Sequence, residues 1–192
     1  MLINIIKSKD FKTGQWAGGT TTELFIYPKH SNYQDKDFDF RISSASVDIE
    51  ESIFTNLPDV SRRLMILDGE IEINHQNRYS KHMGKFDIDE FEGHWNTISK
   101  GKCIDFNVMT KNGAKSKLYG LFISHGEPKQ IISSSLFTFI YAHKGRTKFT
   151  VNNEVFFLEE RELLVSKENE SVQITADAFS NSELAIAEIT ID

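Results

Sequence analysis

The sequence predicts an all-β fold built from two packed antiparallel β-barrels of the jelly-roll type. Apolar and polar residues alternate with a period of two through most of the chain, which is typical of half-buried strands. No long segment shows the spacing of an amphipathic helix. A strand, a glycine turn and a second strand occur around Gly69 and again around Gly145, and the 192-residue length suits two domains of about 100 residues.

The clearest strand is FDFRISSASV, which begins at Phe38. One face carries Phe38, Phe40 and Ile42, and the other carries Asp39, Arg41 and Ser43. The apolar residues change face at Ala45 and Val47, and one extra residue in a strand produces such a change. The pattern therefore predicts a β-bulge near Ser43–Ser44.

Asp68-Gly69 stands between two alternating apolar runs and is the strongest hairpin signal in the chain. When Gly69 is set against Gly145, two similar patterns of strand, turn and strand overlie each other, so one β unit is used twice. The loop-like stretches NGAKSK and SHGEPKQ separate the two copies. We therefore expect the first barrel, with a glycine-rich amino-terminal strand, over residues 1–114 and the second over residues 115–192.

Charge and composition argue against several classes of partner. The formal net charge is −6 and basic residues occur in short runs, whereas nucleic-acid binding needs a concentrated positive face. No apolar run is long enough for a membrane span, and the run before Lys7 is too short for a secretory signal. Cys103 is the single cysteine, which fits a reducing compartment. We expect a cytoplasmic, bacterial protein that binds neither nucleic acid nor membranes.

The stretch GQWAGGTTTELFIYP places two glycines and three threonines directly before an apolar strand. In the strand after Gly18-Gly19, the residues Thr21, Glu23, Phe25 and Tyr27 are expected on one face. The glycine pair permits either a plain turn into an edge strand or a close approach of backbone amides and Thr21 to a ligand. In the second case, Glu23 orients an arginine or a ligand amine.

Three arginines are candidates for binding an acid. Arg41 lies on the polar face of an otherwise apolar strand, where it needs a carboxylate, a ligand or water. A purely structural ion pair with Glu23 or Asp105 is the alternative. Arg62 and Arg63 are neighbours in a strand, so one points inward and the other outward. The residues that follow are apolar on both faces, so periodicity leaves open which arginine faces the interior.

The stretch CIDFNVM supplies the remaining candidates. Ile104, Phe106 and Val108 form an apolar face, and Asp105, Asn107 and Met109 share the other. A barrel interior lined by Asp105, Asn107 and an arginine could hold a small polar acid, with the guanidinium forking onto its carboxylate. Alternatively, both polar side chains bond neighbouring backbone. No recognisable motif places a histidine beside Cys103, so we interpret it as an inert thiol.

Four blocks of sequence, in order from Trp16 to Gly113, resemble the HutD/Ves family. WAGGTTTEL is similar to the family's Asn-Gly-Gly-Gly-x-Thr-x-Glu signature, and FDFRISSASV to its Phe-x-x-Arg-x-Ser-x-Ala-x-Val strand. FTNLPDVSRRLMILDGE and FEGHWNTISKGKCIDFNVMTKNG resemble its two later blocks. The chain departs from the family pattern at Trp16, Ala17, Asp59 and Ser61, so its ligand preference could differ.

The resemblance implies a bicupin, two cupin barrels in one chain, that is metal-free and associated with histidine utilisation or stress response. Binding of a histidine-breakdown intermediate such as N-formylglutamate has been suggested for the family, and no catalytic activity carries over. Metal-binding cupins use histidines and a glutamate, and Arg62 falls at the glutamate position. An arginine there repels cations and attracts anions, so we expect no metal and no cofactor. The histidines are interpreted as surface or hydrogen-bonded residues.

We predict metal-independent binding of a small carboxylate or amino-acid-derived metabolite, with a regulatory role in histidine utilisation. The predicted ligand-binding residues are Thr21, Glu23, Arg41, Arg62, Arg63, Asp105 and Asn107. No catalytic residue is predicted, although an enzyme that uses Glu23 or Asp105 for acid–base chemistry is one alternative. The other alternative is an interaction protein that forms a homodimer through exposed β edges and has a collapsed cavity.

Overall fold

The computed structural model describes residues 2–151, 153–167 and 172–191, and this part of the chain is folded almost entirely into strands. The one helical element over these residues is a 3₁₀ turn at Ser8–Asp10. The chain divides into two compact units, Lys12–Lys115 and Met1–Phe11 together with Ser116–Asp192. Each unit is a jelly roll of two antiparallel sheets, so the all-β prediction is confirmed.

The amino-terminal strand, β1 (Leu2–Ile6), belongs to the unit that contains the second half of the chain. It pairs antiparallel with Leu163–Lys167, and its residues Ile3 and Ile5 pack against the apolar core of that unit. The division therefore differs from the predicted boundaries, because residues 1–11 were expected in the first barrel. An alternating strand at a chain end does not reveal which sheet edge it will pair with.

The unit Lys12–Lys115 is described at every residue and contains a six-stranded and a four-stranded sheet. Its strands are β2 (Lys12–Trp16), β3 (Gly19–Tyr27), β4 (Phe40–Val47), β5 (Glu51–Ile53), β6 (Ser61–Gly69), β7 (Ile71–His75), β8 (Tyr79–Met83), β9 (Ile88–Glu92), β10 (Thr97–Lys100) and β11 (Cys103–Thr110). The six-stranded order is β2-β3-β4-β11-β6-β9, and the facing sheet has the order β5-β10-β7-β8.

The other unit has a five-stranded and a four-stranded sheet over its described residues. Besides β1, its strands are β12 (Lys115–Ile123), β13 (Lys129–Ser133), β14 (Phe137–Lys144), β15 (Thr147–Val151), β16 (Glu154–Leu158), β17 (Leu163–Lys167), β18 (Val172–Ala178) and β19 (Ser182–Thr190). The orders are β1-β17-β14-β19-β12 and β13-β18-β15-β16.

The two units share a strand order, as expected of an internal repeat. The series β9-β6-β11-β4 corresponds to β17-β14-β19-β12, and β5-β10-β7-β8 corresponds to β13-β18-β15-β16. Gly69 and Gly145 lie at similar places, because Gly69 ends β6 and Gly145 directly follows β14. The hairpin predicted at Asp68-Gly69 is wrong, because β6 and β7 belong to different sheets. Gly69, with a φ of +79°, instead turns the chain from one sheet to the other.

The bulge predicted near Ser43–Ser44 is also wrong. β4 pairs with β11 without interruption along its whole length. Arg41, Ala45 and Val47 therefore share one face of β4. Along that face the side chains change from polar to apolar, and sequence alternation alone does not distinguish such a change from a bulge.

β3 contains the bulge instead, at Leu24. Its register against β4 shifts by one residue between Glu23 and Phe25. Phe25 and Tyr27 stack on Phe40, with ring centroids 5.9 and 5.2 Å apart, on the face opposite to Glu23. The common face predicted for this strand is therefore wrong beyond Glu23.

The interiors of the two units differ. In the unit that contains β12 to β19, an apolar cluster fills the core, with Ile140, Phe149, Leu164 and Ile186 fully buried. In Lys12–Lys115, a smaller apolar cluster around Ile66 leaves room for a cavity beside it.

Candidate functional site

A cavity of about 660 Å³ lies within the unit Lys12–Lys115. Its walls come from β2, β3, β4, β11 and β6 of the six-stranded sheet, and from β5, β7 and β10 of the facing sheet. This volume lies within the range of small-molecule sites in proteins. The cavity is therefore large enough to enclose a metabolite.

The register of β4, β11 and β6 determines which side chains meet in the cavity. Met109 pairs with Arg41 on one side and with Arg62 on the other, so both arginines lie in one row across the sheet. In the next inward-facing row, Asn107 lies opposite Ser43. The polar end of the cavity is formed by these two rows.

Beyond Asp105, the wall on the same strands becomes apolar. Asp105 lies opposite Ala45, and Cys103 lies opposite Val47. Val47 and Cys103 join Ile71 of the facing sheet in one buried apolar cluster. The cavity therefore has a polar end, which carries the cations, and an apolar end, with Asp105 between them.

Arg41 is held by a carboxylate. Its Nε donates to Glu23 Oε2 at 2.8 Å, and its Nη1 donates to Ser43 Oγ at 3.2 Å. The guanidinium carbon lies 4.4 Å from the ring centre of Tyr33. Of the two candidate partners of Arg41, Glu23 rather than Asp105 thus forms the ion pair. Arg41 is a largely neutralised charge.

Arg62 also reaches the cavity, but its Nε has no hydrogen-bond partner among the described residues. Its guanidinium carbon lies 4.8 Å from the ring centre of Phe54 and 5.2 Å from that of Phe91. Burial lowers the pKa of Arg62 to about 10, and Tyr33 and Asp105 oppose this effect. The side chain stays protonated at neutral pH and remains a buried charge with an unused donor.

Asp105 and Asn107 extend from β11 into the same cavity. Burial raises the pKa of Asp105 to about 7, although the charge of Arg62 and a hydrogen bond from the Ala45 backbone act in the opposite direction. Asn107 is 7% exposed, and its Oδ1 has no hydrogen-bond partner in the described part of the chain. Folded proteins seldom leave buried donors and acceptors unpaired, so these atoms are candidates for ligand contacts.

The structure brings six of the seven predicted ligand-binding residues together in the cavity wall. They are Thr21, Glu23, Arg41, Arg62, Asp105 and Asn107. Arg63 is not among the residues that line this cavity. It lies on the other face of β6, where its Nε and Nη2 donate to the Glu90 carboxylate, each at 3.0 Å. Arg62 is therefore the inward-facing member of the pair.

Sequence reasoning missed the apolar wall and the rim of the cavity. The missed apolar residues are Ala45, Val47, Leu64 and Ile71. Trp16 and Ile53 also line the cavity but are 40% and 76% exposed, so they lie where it meets solvent. The departure of Trp16 from the family pattern could have marked it as a site residue. In sequence, the wall residues have the same pattern as ordinary core residues. Tyr33 comes from the loop after β3 and was missed as well.

Gly18 and Gly19 lie at the turn between β2 and β3. Ala17 and Gly18 form a two-residue loop, and neither glycine of the pair lines the cavity. Gly19 has a φ of +151°, and a Cβ there would overlap the carbonyl oxygen of Ser46. A Cβ at Gly18 would overlap the ring of Trp16. The glycines therefore allow β3 to approach β4 closely and Trp16 to lie over the hairpin at the rim.

The donor set of the cavity does not fit a metal ion. Glu23 is bound to Arg41, and burial raises the pKa of Cys103 to about 12, with Asp105 adding to this effect. Over the described residues, no group of three or more histidine, cysteine, aspartate or glutamate side chains is arranged to hold a metal. Arg41 and Arg62 give the site the character of an anion site.

His75 belongs to a separate buried network in the same unit. Its Nδ1 lies 2.8 Å from Thr97 Oγ1, and its Nε2 lies 2.7 Å from Asp89 Oδ2. Asp89 Oδ1 accepts a hydrogen bond from the Tyr79 hydroxyl at 3.1 Å. The network connects β9 to β7 and β10 of the facing sheet, so His75 is a hydrogen-bonded structural residue.

The family model described as HutD matches residues 8–184 of the chain. A conserved protein of unknown function, PA5104 from Pseudomonas aeruginosa PAO1, has a similar structure, with a TM-score of 0.87 at 16% identity over 99% of this chain and 100% of that chain. HutD from Pseudomonas fluorescens SBW25 is similar with a TM-score of 0.76 at 16% identity over 98% of each chain.

Oxalate decarboxylase from Bacillus subtilis is similar in structure with a TM-score of 0.70 at 7% identity, covering 98% of this chain and 77% of that chain. At these identities, the similarity shows a shared cupin-like fold. No match was found among curated protein sequences. In the part of the chain that the structure describes, no helix is both long and apolar enough to cross a membrane.

Proposed function

Because the chain belongs to the HutD family, we propose that it binds a small carboxylate metabolite of histidine utilisation in the cavity of Lys12–Lys115, without a metal and in a regulatory role. The observation that carries the proposal is Arg62, a buried cation that faces the cavity and whose Nε has no partner among the described residues. A carboxylate supplies the negative charge and the acceptor oxygens that this group lacks.

The neighbouring side chains define how such a ligand is held. Glu23 holds Arg41 in an ion pair, so the charge of Arg41 is already balanced and does not require the ligand. Asn107 Oδ1 is free to accept an N–H of the ligand. Below about pH 7, the Asp105 carboxyl is protonated and does not compete with the ligand for Arg62.

The pathway part of the proposal is supported by the family alone. HutD from Pseudomonas fluorescens shares the fold over almost the whole chain, but at 16% identity this similarity does not extend to the ligand. The test must therefore include several members of the pathway rather than a single compound.

A thermal-shift screen of the purified protein tests the proposal. The ligands are histidine, urocanate, formiminoglutamate, N-formylglutamate and glutamate, each with and without EDTA. Binding to the folded state stabilises it by about 2.7 kcal/mol at a ligand concentration 100 times the Kd. We expect the Tm to rise with the concentration of at least one acid and to be unaffected by EDTA.

Arg62→Met and Arg63→Met form a matched pair of variants, because the two arginines are adjacent in β6 and face opposite sides. We expect the ligand-dependent shift to disappear in Arg62→Met and to persist in Arg63→Met. The proposal fails if none of these acids shifts the Tm, if only a divalent metal does, or if Arg62→Met retains the shift.

An enzymatic role is a second candidate, because the pKa of about 7 suits Asp105 to act as a general base near neutral pH. Proton NMR of each bound acid would detect its conversion. Asp105→Asn should then abolish turnover while retaining binding, and tight binding without turnover counts against this role. The dimerisation alternative requires a collapsed cavity, which the open cavity of Lys12–Lys115 with its buried polar groups opposes.

A further inference from the structure

The charges in the cavity are arranged for a single carboxylate. Arg41 is neutralised by Glu23 at 2.8 Å, which leaves Arg62 as the buried cation with unused hydrogen-bonding capacity. Lys12 also lines the cavity, but it is exposed and lies in register with Glu23 at the polar end. All cations of the lining are therefore gathered at the end where Arg62 lies.

The opposite end of the cavity has no cation in its lining for a second carboxylate. From Met109, in the row of the arginines, to Cys103 at the apolar end, β11 extends over roughly 20 Å at about 3.3 Å per residue. Val47 and Ile71 are 8% and 3% exposed and continue into the apolar core. Desolvating a charged group against such a wall is costly, whereas an alkyl or aryl group gains from the same burial.

The rim of the cavity has an apolar part among exposed polar residues that include Thr13, Gln15 and Thr55. The indole of Trp16 and the side chain of Ile53 both line the cavity and remain exposed to solvent. Gly18 makes the position of the indole possible, because any larger residue would displace it. Exposed large apolar side chains around a cavity are typical of ligand sites.

From these observations we propose that the ligand is a monocarboxylic acid with a largely apolar body, which is an alkyl, aryl or heteroaryl group. Its carboxylate binds Arg62 and its body lies between the apolar wall and the rim formed by Trp16 and Ile53. This inference rests on the proposed function, and it separates the monocarboxylic from the dicarboxylic members of the ligand class.

Isothermal titration calorimetry of the full chain at pH 6.5 tests the inference with a matched pair of acids. 4-Methylpentanoate and succinate have the same shape, except that an isopropyl group replaces one carboxylate. We expect 4-methylpentanoate to bind at least about 10-fold more tightly. In the series acetate, butanoate and hexanoate, we expect about a fourfold gain in affinity for each methylene that becomes buried.

Two variants test whether the apolar body of the ligand contacts the apolar end of the cavity. Val47→Thr keeps the shape of the side chain and places a hydroxyl at the apolar end, so it should weaken 4-methylpentanoate about fivefold and leave acetate unchanged. Val108→Thr is the control. Val108 lies in β11, on the face opposite to Asn107, and does not line the cavity. This variant should leave the ratio of the affinities for 4-methylpentanoate and acetate as in the original protein.

The outcomes distinguish this inference from the proposed function. The inference is overturned if succinate binds as tightly as 4-methylpentanoate or more tightly, or if affinity does not increase with chain length. If the acids that do bind no longer bind to Arg62→Met, the proposed carboxylate site is still supported. Failure of every acid to bind, acetate included, overturns the proposed function and the inference with it.

Discussion

Arg62 and Arg63 are adjacent in sequence but lie in opposite environments. Arg63 forms two hydrogen bonds to an exposed glutamate, whereas Arg62 is 6% exposed and keeps an unused donor. An incompletely paired buried charge lowers the stability of a protein, and replacement by an apolar residue of similar size is often neutral or stabilising. Arg62, which we propose to bind ligand, therefore lowers the stability of the ligand-free protein.

This cost gives a stability prediction for the ligand-free protein. Arg62→Met should leave the free energy of unfolding unchanged or raise it by up to about 2 kcal/mol. Arg63→Met should change it by less than about 0.5 kcal/mol, because exposed ion pairs contribute little. Urea denaturation measures both. Strong destabilisation by Arg62→Met would show that Arg62 is a structural residue of the core.

The ion pair of Arg41 and Glu23 should behave in the opposite way. Arg41→Met leaves the Glu23 carboxylate without its partner in a largely buried place, so we expect a loss of about 2 kcal/mol of stability. Replacing both residues, with Arg41→Met and Glu23→Leu together, should recover most of that loss. A double-mutant cycle by urea denaturation measures the coupling, and a coupling energy near zero would contradict the prediction.

Asp105 predicts a pH dependence of stability with a definite sign. The folded protein holds the Asp105 proton up to about pH 7, and the ordinary pKa of this group is 3.8. Unfolding therefore releases a proton between these values, so the free energy of unfolding falls as pH rises through that window, by at most about 1.4 kcal/mol per pH unit. Above the window the loss is complete.

Asp105→Asn tests this sign, because the amide does not titrate. The difference in unfolding free energy between the variant and the original protein should move in favour of the variant between pH 5 and pH 8. Urea denaturation at several pH values measures this difference, in which the contributions of all other titrating groups largely cancel. A difference that is independent of pH would contradict the raised pKa.

At the scale of the elements, the turn between β2 and β3 depends on Gly19. Its φ of +151° disfavours any other residue, and a Cβ would overlap the backbone of Ser46. Gly19→Ala should therefore destabilise the protein by at least about 2 kcal/mol. Gly14→Ala in the adjacent β2 is the matched control. No atom of the described residues lies within 4 Å of a Cβ at this position, so the substitution should be neutral or slightly stabilising. Thermal denaturation compares the two variants.

Strands β3 and β4 show how far alternation in the sequence determines a site. It correctly grouped Arg41 with Ser43 on one face of β4, because strand periodicity is local. It misplaced the bulge, because a register shift at Leu24 is a property of two paired strands rather than of one. The apolar wall could not be predicted either, since a residue beside a cavity and a residue in a packed core have the same pattern.

At the scale of the whole molecule, the cavity and the amino-terminal strand belong to different units. All residues that line the cavity lie in Lys12–Lys115, whereas β1 pairs with β17. Deletion of residues 1–6 should therefore leave ligand affinity unchanged and increase amide hydrogen exchange in Leu163–Lys167. Amides of β19, which lies between β14 and β12, serve as the internal control. Loss of affinity in this variant would contradict the assignment of the site to Lys12–Lys115.

The repeated glycines at 69 and 145 correctly indicated two related β units, because each marks the passage between the sheets of its unit. The place of β1 was beyond prediction for a physical reason. Its pairing partner is remote in sequence, and a five-residue alternating strand satisfies the edge of many sheets equally well. Local sequence signals thus predicted the two β units. The unit to which β1 belongs depends on long-range pairing, which these signals do not reveal.

The pairing of β1 with β17 also has a consequence for synthesis on the ribosome. Lys167, which pairs with Leu2, is made 165 residues after it. At about 5–20 residues per second, this delay amounts to roughly 10–30 s. The Lys12–Lys115 unit can fold during that interval, while β1 lacks its partner strand β17. A free apolar strand is a template for aggregation, so this interval is when the growing chain most needs protection by chaperones.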